Sequence, residues 1–239
     1  MEYITSKNNA KVKHACSLKE NKYKKMYNEF LCEGKKSLEL ALESKLVKQI
    51  FTLKPLSFVS DDIEQYIVNE EIIGKMSFET NPEGIVFISE IPTFKNEKSH
   101  KKVLYLDHIN DPGNMGTLIR TALAFEYDMV AISPDSVSPF NEKCIASSKG
   151  AIFKMPIING ELSDIKLDRK IIVSSLSDNS VCFDSIETPE QFILVLGNEA
   201  HGVSQDAIKL ADHVVKIPIS GIDSINVAVA GGILMQHYR

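Results

Sequence analysis

The chain has 239 residues, 44% of them hydrophobic and 25% charged, with a formal net charge of −5. That length can bury one large core or two small ones, and the balance excludes a disordered, collagenous or disulfide-stapled chain. No apolar run approaches the length that spans a bilayer, and the opening MEYITSKNNAKVKHACSLKE is basic and polar, so a cytoplasmic protein without a signal peptide is expected.

Taken in order, EFLCE (29–33) reads as a short strand, and GKKSLELALES as a helix with Leu38, Ala41 and Leu42 on one face. LVKQIFTL is the next strand. DDIEQYIVNEE is predicted helical, capped by Asp61 or Asp62. GIVFISE (84–90) is a strand, so residues 1–90 read as a small α/β domain. IPTFKNEKSHKK (91–102) has the polar, proline-led composition of a linker. From Val103 strands and helices alternate. VLYLDHI, MVAIS, KIIVSSL, FILVLGNE and HVVKIPI are the strands; 115–125, 140–148, 204–211 (capped by Ser204) and 226–238 are the helices. Such alternation predicts an α/β fold, a mostly parallel sheet with helices on both faces. Ligands in such sheets bind beyond the strands' C-terminal ends.

The charge is uneven. Residues 1–54 hold 12 Lys and no Arg against 6 Glu, a net of +6 on an otherwise acidic chain. This is either a phosphate-binding surface or a solvated face. Cys16, Cys32, Cys144 and Cys182 form no CxxC pair, so reduced thiols are expected, with neither a metal site nor a disulfide framework.

Three loops stand at the predicted C-terminal edge. In the first, DPGNMGTLIR, Leu118, Ile119 and Ala122 lie within about 60° of Met115, while Arg120 lies at about 140°, off the buried stripe. Gly113 and Gly116 allow a tight turn or close approach of a ligand. A helix N-terminus and an arginine fork both suit an anion; an Asn cap and a surface Arg would look the same. The second, LVLGNEAHGVS, is neither a Walker A loop nor a GxGxxG loop. Its Glu199 reads as a ligand contact or a turn residue, and His201 as a surface residue. The third, IPISGIDSINVAVAGG, leads into a helix whose Gly231 and Gly232 each cost about 1 kcal/mol relative to Ala. Close packing of another backbone is the expected reason.

Together these loops resemble those of the SpoU/TrmH family of RNA ribose 2′-O-methyltransferases, in the SPOUT superfamily. The family's N-x-G-x-x-x-R motif corresponds to Asn114, Gly116 and Arg120, its Gly-Asn-Glu to Gly197, Asn198 and Glu199, and its third motif to Ile217, Pro218, Gly221, Ser224, Ile225 and Asn226. The third loop is one residue shorter than usual, Ala200-His201 stands where a glycine and a variable residue are common, and Ala146 stands where an arginine is frequent. The resemblance implies a C-terminal trefoil knot over 103–239, an L30e-like RNA substrate-binding domain over 1–90, and a homodimer. It implies S-adenosyl-L-methionine as cofactor, held by Leu196, Gly197, Ile217, Ile225 and Asn226. Arg120, Asn114, Glu199, Ser224 and Asn226 would be the catalytic set. Arg120 would hold a phosphate and orient or deprotonate the 2′-hydroxyl. The implied substrate is structured RNA, ribosomal before transfer RNA. A non-catalytic RNA-binding protein that keeps the fold, or an unrelated nucleotide-binding α/β enzyme, are the alternatives.

Overall fold

The computed structural model describes residues 2–239. The chain divides into two units, Met1–Pro92 and Thr93–Arg239.

The first unit is built on a five-stranded sheet. Its strands are β1 (Glu2–Ile4), β2 (Glu29–Glu33), β3 (Val47–Thr52), β4 (Glu64–Val68) and β5 (Ile85–Glu90), in the order β1-β4-β3-β5-β2. β4 runs parallel to β1 and β3, and β5 antiparallel to β3 and β2. Helices α1 (Ala10–Ser17), α2 (Asn21–Tyr27), α3 (Lys35–Glu43) and α4 (Glu70–Met76) complete it. The helix expected over 61–71 is wrong. Tyr66, Ile67 and Val68 are consecutive buried residues of high strand propensity and lie in β4, inside the sheet between β1 and β3. The helix starts only at Glu70, where Asn69 Oδ1 accepts the Ile72 N–H at 2.9 Å and Glu70 and Glu71 favour the N-terminal dipole. α1 and α2 were hidden in the basic segment. Asn9 caps α1 by accepting from Lys11 N at 2.8 Å, and α1 buries Val12 and Ala15. The lysines there are not one open face: Lys7 pairs with Glu71, Lys11 with Glu2 and Lys48 with Glu29, and Lys24 is buried.

The second unit holds a seven-stranded sheet. Its strands are β6 (Lys102–Leu106), β7 (Met129–Ile132), β8 (Ile157–Asn159), β9 (Lys170–Ser174), β10 (Val181–Cys182), β11 (Phe192–Leu196) and β12 (His213–Lys216). They lie in the order β10-β12-β9-β11-β6-β7-β8, and every pairing is parallel. The helices are α5 (Pro112–Ala124), α6 (Glu142–Ser148), α7 (Leu162–Lys166), α8 (Gln205–Leu210) and α9 (Val227–His237). Alternate strand residues separate the two faces. Val103, Tyr105, Ile193 and Val195 pack with Leu162 and Ile165 of α7 and Ala207 of α8. On the other face α9 meets Leu118 of α5 and Leu196 at the end of β11. All five residues of β11 are buried, which explains its unbroken apolar run.

Residues 93–101 carry no regular element but belong to the second unit. The buried Arg169 guanidinium donates to His100 O at 2.6 Å, Asn96 Oδ1 at 3.0 Å and Glu97 O. Among the described residues no helix is long and apolar enough to cross a membrane.

Candidate active site

The chain leaves β6, β11 and β12 at the same edge of a parallel sheet, and the three loops singled out by sequence follow those strands. The first loop turns into α5 through a strong N-cap. Asp111 Oδ1 accepts the Asn114 N–H at 2.8 Å, and Pro112 occupies the first turn, where no amide donor is needed. The cap is thus Asp111, which leaves the Asn114 side chain free. Its Nδ2 donates to Glu199 Oε1 at 2.8 Å, and its Oδ1 accepts from Asn226 Nδ2 at 3.0 Å. One asparagine therefore joins all three loops. Asn226 is itself the N-cap of α9, accepting from Ala228 N at 2.9 Å and Val229 N at 3.3 Å.

The second loop is a small closed structure. Asn198 and Gly202 exchange backbone hydrogen bonds of 2.8 and 2.9 Å, with Gly202 in the left-handed region at φ 69°. Asn198 Oδ1 accepts from Ala200 N and His201 N, while its Nδ2 donates to His108 O at 2.8 Å. A Cβ on Gly197 would collide with Val203 N and the Gly202 carbonyl, so this glycine serves the loop's own closure. His201 is exposed, as expected.

The third loop is open. Among the described residues, the backbone N–H and C=O groups of 217–225 make no hydrogen bond to protein, and the Ser224 side chain makes none. These backbone donors and acceptors are open to a ligand.

Two expectations change. Gly116 does not open α5 to a ligand. It is buried, and a Cβ there would collide with Ser147 Oγ and the Cys144 carbonyl and come within 2.9 Å of Ser148 N, so it sets the approach of α5 to α6. Burial pushes the Cys144 thiol beneath it up to about 12, which keeps it protonated and not nucleophilic. Gly231 does mark close packing, but against the side chains of Leu118 and Leu196 (an added Cβ would come within 2.7 Å of Leu196 Cδ1) and not against backbone; a Cβ added at Gly232 would meet nothing within 4 Å. Arg120 is exposed on α5, with no hydrogen bond or ion pair among the described residues. It stands about 9 Å further along the helix axis than Asn114 and on a different face, so it lies outside the Asn114–Glu199–Asn226 chain of hydrogen bonds. Asp107 and His108 were missed. The visible signal was a lone carboxylate closing the apolar run VLYL.

Against known proteins, residues 101–236 match the SpoU rRNA Methylase family and residues 9–86 the MRM3-like substrate binding domain. The chain is 32% identical over 248 residues to the 23S rRNA (guanosine(2553)-2′-O)-methyltransferase RlmP of Bacillus subtilis, covering 100% of both chains. The AdoMet-bound rRNA methyltransferase of Sinorhizobium meliloti superposes with a TM-score of 0.89 at 26% identity, over 99% of this chain and 97% of that one. A putative RNA methyltransferase of the TrmH family from Porphyromonas gingivalis gives 0.86 at 26% identity, over 97% and 98%.

Proposed function

The chain belongs to the SpoU rRNA methylase family, and from that premise we propose that it uses S-adenosyl-L-methionine to methylate a ribose 2′-hydroxyl of ribosomal RNA in the cytoplasm. The observation that carries this is the hydrogen-bonded chain from Glu199 through Asn114 to Asn226, which joins the family's three motifs at one edge of the sheet. The full-length likeness to a 23S rRNA enzyme favours ribosomal over transfer RNA. Residues 1–90 act as the L30e-like module that grips the RNA, 91–102 as the connection, and 103–239 as the knotted catalytic domain. The return of α9 from β12, past β9, to Leu196 and Leu118 supports the trefoil knot.

The cofactor supplies a methyl group activated by its sulfonium. The residues of the chain do the rest. Free backbone groups at Ile217 and Ile225, with Leu196, Gly197 and Asn226, would hold it. Glu199, Asn114 and Asn226 fix one another, and Ser224 beside them offers a hydroxyl toward the ribose. Arg120 holds the phosphate of the target nucleotide and, through it, orients the 2′-hydroxyl and stabilises the loss of its proton.

Since Arg120 stands apart from this chain of contacts, the site is completed in a homodimer. Val229 is 56% exposed and Ile233 38%, one helical turn apart on α9 beside the bare Gly232, an apolar stripe suited to a second copy. Ile233→Arg places a charge on that stripe without touching the core. It is expected to weaken the dimer by about 2 kcal/mol or more, seen as a shift to monomer by light scattering with loss of methyl transfer. A dimer of unchanged affinity would move the interface elsewhere.

The function itself is tested with labelled S-adenosyl-L-methionine and RNA from cells lacking the gene. One new 2′-O-methyl group in ribosomal RNA is expected. Label in transfer RNA alone would overturn the substrate, and absence of cofactor binding by calorimetry would leave a non-catalytic RNA binder.

A further inference from the structure

One buried carboxylate has no part in the chemistry above. Asp107 follows β6 and is 2% exposed. Its N–H donates to Leu196 O at 2.9 Å, which ties it to the residue before the Gly-Asn-Glu loop. Its Oδ2 accepts the Ser204 N–H at 2.6 Å, which ties it to the residue after that loop. Its Oδ1 meets His108 Nδ1 at 2.8 Å. His108 is held in the left-handed region at φ 57°, with its N–H donated to Ser133 Oγ at 2.8 Å. In that posture its carbonyl receives Asn198 Nδ2 at 2.8 Å. The loop 197–203 is therefore fastened at its entry, its first turn and its exit to two consecutive residues just past the end of β6. Glu199 lies between those fastenings and has one side-chain partner among the described residues, Asn114.

We infer that Asp107 is a positioning residue for the methyl-transfer site: its carboxylate fixes the Gly-Asn-Glu loop so that Glu199 reaches Asn114. The energetics favour this role. A buried carboxylate is costly unless hydrogen bonds replace its hydration, and here Oδ2 takes the Ser204 N–H at the loop's exit while Oδ1 holds His108, whose carbonyl receives Asn198. A loop fixed by three strong contacts presents Glu199 without an ordering cost at the moment of reaction. The inference rests on the assignment of Glu199 to the site.

The test compares Asp107→Ala and Asp107→Asn in the full chain. The alanine variant removes both acceptors. The amide of Asp107→Asn keeps an oxygen for the Ser204 N–H and can donate its nitrogen to a neutral His108 Nδ1. With saturating cofactor, Asp107→Ala should lower kcat about tenfold or more while KM for RNA changes less than about twofold. Amide hydrogen exchange across 198–204 should accelerate by about tenfold with that of α5 unchanged. Asp107→Asn should return both readings to within about threefold of the unsubstituted chain.

Unchanged kcat in Asp107→Ala, or equal damage in both variants, would overturn the inference. So would loss of exchange protection throughout the second unit, since Asp107 would then be a general structural residue. If the unsubstituted chain methylates no RNA, the functional reading fails. The exchange comparison then decides alone whether Asp107 holds the loop.

Discussion

Replacing Arg120 with alanine lowers methyl transfer by about two to three orders of magnitude and leaves stability within about 0.5 kcal/mol. The stability half follows from position. Arg120 lies outside the stripe of Met115, Leu118, Ile119 and Ala122 that α5 buries, and no side chain among the described residues loses a partner when it goes. The catalytic half follows from chemistry. An always-charged planar fork is suited to a phosphate oxygen pair, and an exposed guanidinium with no internal partner is available for one. Arg120→Lys should recover little of the rate, because a point charge on a flexible stem does not reproduce the two parallel donors. Single-turnover transfer at saturating cofactor, with a thermal melt of each variant, reads both halves. Wild-type transfer by Arg120→Ala would remove Arg120 from the site.

Gly116→Ala is the second large effect, and it acts through the fold. The added methyl would strike Ser147 Oγ, which can rotate, and the Cys144 carbonyl, which cannot move unless α6 does. Overpacking of this kind costs about 1–3 kcal/mol or more, or a fall in melting temperature of about 2–4 °C per kcal/mol for a chain of this size. α5 would also tilt away from α6 and carry Asn114 off Glu199, so activity should fall further than stability. Gly74→Ala is the matched control. Gly74 lies inside α4, where an added Cβ would meet nothing within 4 Å, so the same substitution there should stabilise by about 1 kcal/mol. A Gly116→Ala melt equal to that of the unsubstituted chain would show that α5 and α6 can separate at no cost.

The second unit was legible because parallel strands covered on both faces leave unbroken apolar runs, as in FILVL, with caps such as Ser204 marking the helices between them. The first unit was less so. The acids Asp61, Asp62 and Glu64 imitate the first turn of a helix, yet the three residues Tyr66–Val68 belong to an inner strand, a choice made by the neighbouring strands and not by local preference. The lysines of 10–27 obscured two short helices whose buried stripes are only a few residues wide.

Within the site, the residue types were readable but their connections were not. Asn114 and Glu199 are 85 positions apart, and Asn226 and Asn114 are 112 apart. Periodicity says nothing at that range. Gly116 shows the same limit, because a glycine that admits a ligand and one that admits a neighbouring helix look alike in sequence. Asp107 was overlooked because it reads as one residue of the strand VLYLDHI, and nothing local shows Ser204 and His108 gathered around it.

Asn226 carries a constraint of a different kind. An ordinary helix cap accepts serine, threonine, aspartate or asparagine almost interchangeably. At 226 the oxygen caps α9 and the nitrogen of the same amide grips Asn114. Serine, threonine and aspartate each keep the acceptor and lose the amide donor. A position with four acceptable residues for folding has one for folding and site together, so neutral drift is closed to it.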